Sequence, residues 1–322
     1  MTVASPTSHS PWTVQVEACR MPFRIDPKKP FGDEIRRAGL ELIKDAITIL
    51  RDQPSGSHEA VHDARKRFKR LRALYRLIRK AAPDFSREEN ARFRDIARSL
   101  AFARDATALV ETAEYLEAFA LSDAQGEALR SITAMLRERR DDALNHEVDL
   151  DDAIAAAIAG CETGHERLQA LSLPDDLKKT ARLVRSSWAK QRVKARKALS
   201  DCRDQADVEH FHELRKAGQT HWMHLGLMRR LWPSAMRAKR ADTKRLVDIL
   251  GHEHDLSVLA AVADREPDRF GNGERLALLL DAIIERQQAL RAEGLELADE
   301  VFSESARTES RIIGLLWQQA AK

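Results

Sequence analysis

Aromatic residues are scarce, at 5% of 322 residues, and there are only three cysteines. Cys19, Cys161 and Cys202 are widely separated and odd in number. They offer neither a disulfide framework nor a CxxC metal pair, which points to a reducing compartment. No apolar run approaches the roughly 20 residues needed to cross a bilayer, and the first residues lack the basic-then-apolar order of a secretory signal. The expectation is a cytoplasmic protein with no membrane partner. A glycine-rich phosphate loop and a nucleophile–base pair are missing too, so the chain is not expected to be an enzyme or to need a cofactor or metal. Charge of one sign is also in short supply. The net charge is +3, although 33% of the residues are charged. Strong positive potential must therefore be local, offset by acidic stretches such as 141–152 and 293–300.

What is abundant is Ala, Leu and Arg, a composition that predicts an all-α protein. Residues 1–31 are rich in Ser, Thr and Pro and read as a flexible leader, within which Trp12–Ala18 alternates weakly as a short strand would. From Asp33 the period is helical. Ile35, Leu42, Ala46 and Ile49 share one face, and Arg37, Lys44 and Arg51 share another. Pro54-Ser55-Gly56-Ser57 is a turn, with Ser57 placed to cap the next helix. Pro83 ends that helix. Further helices are expected over about 86–103, from Asp105 to a break at 122–126, on to about His146, and over 149–171.

The helix after the turn, Val61–Lys80, carries the most information. At 3.6 residues per turn, His62, Arg65, Lys69, Arg72, Arg76 and Arg79 fall on one side. Val61, Ala64, Phe68, Leu71, Leu74, Tyr75 and Ile78 fall on the other. Solvated helix faces usually alternate acids with bases, because like charges four apart repel. Asp63 is the one acid within this stretch.

The pattern then repeats at an offset of 150 residues. His62 matches His212, Arg65 matches Arg215 and Lys66 matches Lys216, while Pro83 matches Pro233, Leu100 matches Leu250 and Asp105 matches Asp255. A shared Pro and a shared Asp in one ungapped register mark a tandem duplication, with repeats over 32–173 and 174–322. Two such halves pack most simply as two four-helix-type bundles about a pseudo-twofold axis, which would turn both cationic faces toward one groove.

This arrangement resembles the CHAD family (conserved histidine α-helical domain), standing alone without the Glu-x-Glu-x-Lys signature of triphosphate tunnel enzymes. The resemblance rests on His62, Arg65, Lys66, Lys69, Arg70, Arg72 and Arg104-Asp105, and on His212, Arg215, Lys216 and Asp255. It implies a basic central groove or pore that binds inorganic polyphosphate, often at polyphosphate granules, with granule proteins as further partners. Arg76, Arg37 and Lys44 extend the expected binding set in the first repeat. The second repeat is depleted, with Gln219, Thr220, Trp222 and Gly226 where the first has Lys69, Arg70, Arg72 and Arg76. Arg182, Arg185, Arg192, Arg196 and Arg203, on one side of the helix before His212, are expected to compensate, with Arg185, Arg192 and Arg196 in the binding set. Asp105 and Asp255 are expected to hold basic side chains in position rather than to touch an anion.

The physical chemistry agrees with the resemblance. A linear polyanion needs a row of cations and no base-reading chemistry. From His62 to Arg79 such a helix rises about 25 Å, enough for several phosphates. Nucleic acid is the less favoured partner, because the basic face has almost no stacking aromatics. A metal-dependent phosphohydrolase built on His254-Asp255 and nearby histidines is a second alternative. It is weaker because His254 takes the place of Arg104 in the repeat.

Overall fold

The computed structural model describes residues 23–145 and 150–322, and Trp12–Ala18 lies outside them. Among the described residues there are eleven α-helices, a short 3-10 turn and no strand. The helices are α1 (Phe31–Asp52), α2 (Ser57–Ile78), α3 (Pro83–Ser99), α4 (Phe102–Glu117), α5 (Asp123–Asn145) and α6 (Leu150–Gln169). They continue with α7 (Leu177–Asp204), α8 (Val208–Leu227), α9 (Pro233–Arg265), α10 (Gly273–Val301) and α11 (Ala306–Ala320).

The duplication is visible in these bounds. α3 and α9 both begin on a proline, Pro83 and Pro233, and α5 and α10 begin at Asp123 and Gly273, each pair 150 residues apart. Proline is favoured there because its fixed φ suits the first helical turn and its missing N–H would be unsatisfied in any case. Pro83 therefore opens α3; the preceding helix has already ended at Ile78. Nor does Ser57 cap α2. Gly56 holds the cap position with φ 88, and Ser57 is the first helical residue. In the first repeat the chain breaks between Ser99 and Phe102, whereas α9 runs through the matching positions as one helix of 33 residues.

The apolar side of α2 is buried as its periodicity predicts. Val61, Ala64, Phe68, Leu71, Leu74, Tyr75 and Ile78 are all fully enclosed. Helix α2 packs against α1 and α3 from its own repeat and against α7 and α8 from the other. Gly39 lets α1 and α6 approach closely, since a Cβ there would stand 2.4 Å from a Leu168 methyl.

The buried side chains form two clusters that cut across the repeat boundary. One joins α1, α2, α3 and α6 to the first half of α7 and to Ile313 and Trp317 of α11. The other joins α4 and α5 to the second half of α7, the start of α8, the later part of α9, and α10. Neither repeat closes a core of its own. The leader reading also needs correction at its end. Residues 23–30 belong to the packed structure, with Ile25 buried in the first cluster. Among the described residues no helix is long and apolar enough to cross a membrane.

Candidate functional site

A cleft of about 500 Å³ opens where the C-terminal end of α2 meets α7 and α8. Its lining includes Arg76 from the end of α2, Arg79 and Lys80 from the turn that follows it, Lys190 and Lys194 from α7, and Lys216 and Thr220 from α8. The Arg76 Nη1 donates to Thr220 Oγ1 at 2.9 Å, and the Ser187 hydroxyl donates to the Arg76 carbonyl at 3.3 Å. Burial and the neighbouring Arg72 lower the Arg76 guanidinium from its ordinary value. Among the described residues, Glu213 is the acid paired with this set. Burial pulls its carboxyl upward, but ion pairs to Lys216 and Lys194 outweigh that and hold it at about 2.

From Lys216 the cations continue along the α2–α8 contact. Lys69 and Arg215, from different repeats, are close enough to repel one another. Lys69 reaches solvent with protein packed around it. Burial, then Arg215 and Arg65, depress its ammonium to about 8. Asp255 opposes that depression and supports the charge on Arg215. Asp105 is raised by burial and restrained by Arg65, whose Nη1 donates to the Ala97 carbonyl at 3.0 Å. Arg72 lies beside Arg94 and Asp95.

His212, the match of His62, packs against His254 with ring centroids 4.5 Å apart and planes tilted by 30°. Burial followed by the charges of Lys216 and Arg215 lowers His212, and burial with Arg215 and His212 lowers His254 to about 4. Both shifts favour the neutral ring in the free protein. The Nε groups of Arg72 and Arg215 and the Nδ1 atoms of His212 and His254 are buried without a hydrogen-bond partner. Buried polar atoms left unpaired in this way carry a desolvation cost that a ligand can relieve, and the two arginine Nε groups among them can serve only as donors.

The structure divides the residues expected from the sequence. Arg65, Lys69, Arg72, Arg76, His212, Arg215 and Lys216 gather along α2 and α8, and His62 is half-buried on the same stripe of α2. Lys66 is exposed and paired with Asp63 at 3.2 Å, and Arg70 is partly buried. The α7 expectation is wrong about the face. Positions 187, 190, 191 and 194 line the cleft, whereas Arg185, Arg192 and Arg196 point to the other side of the helix. Arg192 is fully buried. It donates to the carbonyls of Val301 at 3.2 Å and Glu304 at 2.9 Å, and its charge is matched by Glu309. Arg185 lies on α11 against Gly314, and Arg196 is exposed away from the cleft. Arg37 is likewise engaged elsewhere. Its hydrogen bond and charge pairing with Glu34, then with Glu41, raise its guanidinium further. Lys44 is exposed on α1 and does not line the cleft.

Lys80, Lys190 and Lys194 are the cations that sequence reasoning missed. The available signal was the register itself, since Lys194 matches Lys44 across the duplication. His221 and His224 of α8 are structural. His224 Nε2 meets the Ala73 carbonyl at 2.9 Å, and His221 packs on Trp188 and Phe302. Trp222 lies under the guanidinium of Arg240, 4.7 Å from its ring centre. Among the described residues no group of three His, Cys, Asp or Glu is placed to hold a metal.

Fold and site together define an all-helical duplicated protein with cations from both repeats assembled along one helix pair. The CHAD domain model matches residues 41–264, more than half of the chain, and the protein belongs to the CHAD family. Among solved structures it is similar to the crystal structure of the CHAD domain from the plant Ricinus communis. The TM-score is 0.57 at 18% identity, covering 92% of this chain and 97% of that one. No curated protein matches the chain.

Proposed function

We propose that the protein is a non-catalytic binder of inorganic polyphosphate, held in a groove that runs from Arg65 and Lys69 on α2 to Lys190 and Lys194 on α7. The observation that carries this reading is the cleft lining, where Arg76, Arg79 and Lys80 of the first repeat meet Lys190, Lys194 and Lys216 of the second. The lowered ammonium of Lys69, beside Arg215 and Arg65, agrees with it. Folding brings these like charges together at a cost, and an anion along the groove would repay it. The distance from Arg65 to Arg76 along α2 is about 16 Å, room for a few consecutive phosphates. Arg supplies forked donors and Lys point charges, and both suit a ligand that is charged at every unit. Association with polyphosphate granules in the cytoplasm, and with proteins there, is part of the same proposal.

The test is a salt-titrated binding assay across long-chain polyphosphate, single-stranded nucleic acid and nucleotides. The expected result is preference for polyphosphate, with affinity that falls linearly in log–log salt as counterions are released. Lys69→Met should lower that slope by about 1, as for loss of one phosphate contact. Equal or stronger binding of nucleic acid at moderate salt would sink the reading.

A further inference from the structure

The 150-residue register assigns the cleft a counterpart on the opposite pair of helices. Arg76 maps onto Gly226 and Lys80 onto Arg230 of the α8–α9 corner, while Ser187 and Lys194 map onto Arg37 and Lys44 of α1. In the open cleft, positions 76 and 187 touch directly, through the Ser187 hydroxyl and the Arg76 carbonyl. In the counterpart, a piece of the chain's own N-terminal segment lies between the equivalent positions. The Phe23 carbonyl stands 3.9 Å from where a Gly226 Cβ would be, and the Ile25 amide donates to the Leu227 carbonyl at 3.1 Å. Arg37 Nη2 donates to the Arg24 carbonyl at 2.7 Å, and Arg230 is ion-paired with the Asp26 carboxylate. The absence of a side chain at Gly226 leaves the room that the segment takes.

We propose that this Arg37–Arg230 face is a second anion site which the Phe23–Asp26 segment holds closed, the Asp26 carboxylate standing where a phosphate oxygen would. The inference rests on the polyphosphate reading of the open cleft and adds a built-in competitor to it. Asp26 presents an anion to Arg230 and accepts from the Lys28 amide at 3.1 Å, while the Asp26 amide is tied to Glu34 at 2.7 Å. The Arg24 main-chain carbonyl, which accepts from Arg37, completes the substitute ligand. Glu34 and Glu41 share the face through their pairs with Arg37, so the second site is the weaker of the two. The asymmetry of the duplication then has a use. One cleft is open at all times, and the other opens only when the segment is displaced.

The experiment counts equivalents of tripolyphosphate bound by the full chain, in calorimetry at low salt. The wild type is expected to take one. Asp26→Asn, which keeps the side-chain shape and removes the competing charge, is expected to take a second, weaker equivalent. That gain should vanish in Asp26→Asn with Arg230→Ala and survive in Asp26→Asn with Arg139→Ala, a control of equal charge far from the face. One equivalent in both wild type and Asp26→Asn overturns the second site and leaves the open cleft standing. No binding by any form overturns the polyphosphate reading itself. Should Asp26→Asn lose its cooperative melt, wild-type hydrogen exchange decides instead. Excess tripolyphosphate must accelerate exchange of the Ile25 amide, and an unchanged rate overturns the proposal.

Discussion

Arg76 and Thr220 are 144 positions apart and belong to different repeats, yet Nη1 of one donates to Oγ1 of the other at 2.9 Å. The same hydroxyl donates to the Lys216 carbonyl at 2.9 Å, so it is used on both sides. This bond fixes a cation of α2 at the mouth of a cleft whose other walls come from the second repeat. Thr220→Val removes the acceptor and strands a half-buried guanidinium. The expected loss is about 1–3 kcal/mol of stability, read by denaturant titration, with a several-fold drop in polyphosphate affinity.

The two faces of α7 should separate cleanly in binding. Lys190→Glu and Lys194→Glu place an acid in the cleft and are each expected to weaken polyphosphate binding by about tenfold or more, on the order of 1.4 kcal/mol. Arg185→Glu and Arg196→Glu make the same charge change on the opposite face. Their effect should be small and should fade with added salt. Parallel losses from both pairs would mean the ligand follows another surface.

Arg192→Met tests stability rather than binding. It leaves Glu309 buried without its main counter-charge, although Lys239 lies 3.3 Å from the same carboxylate. Breaking a buried pair from one side costs about 3–5 kcal/mol, so the midpoint of urea unfolding should shift strongly. Affinity per folded molecule should stay at the wild-type value.

Lys69 gives the pH dependence a sign. An unfolded lysine holds its proton to about 10.5, and in the folded chain Lys69 holds it only to about 8. Between those values the unfolded state binds more protons, so this group makes stability rise with pH across that window. Ligand affinity moves the other way and should fall as pH rises through about 8. A bound polyanion restores the charge, so binding near pH 8.5 should take up a proton. Calorimetry in buffers of different ionisation enthalpy measures that uptake, and Lys69→Met should reduce it.

Double reversal of Arg65 and Lys69 to Glu should cost far more affinity than reversal of Arg137 and Arg139, which lie outside the repeated boxes. Arg137 already has a partner in Glu114 at 2.7 Å and Arg139 is exposed. Equal effects in a polyphosphate titration would place the groove elsewhere.

Much of α2 was legible in the chain itself. A 3.6-residue period with apolar side chains on one stripe and cations on the other can be satisfied only by burying the first and leaving the second at a surface, and the enclosed Phe68, Leu71 and Tyr75 obey it. The duplication was legible for the same kind of reason, because a register that carries Pro83 onto Pro233 also carries a helix start onto a helix start. Periodicity failed on α7, where two faces are both rich in bases. The arginine stripe looked like the ligand side, but Glu309 and the carbonyls at the end of α10 turn Arg192 inward.

The sequence by itself determined that the protein is helical, that it is built twice over, and that α2 carries an almost wholly cationic face. Those properties follow from spacing along one chain. Which cations meet was decided only in three dimensions. Lys69 finds Arg215, Arg76 finds Thr220, and Asp26 finds Arg230 across separations of 144 to 204 residues, 146 for the first pair. Such pairings depend on how helices of both repeats share two cores, and a linear pattern holds no information about the rotation at which one helix settles against another.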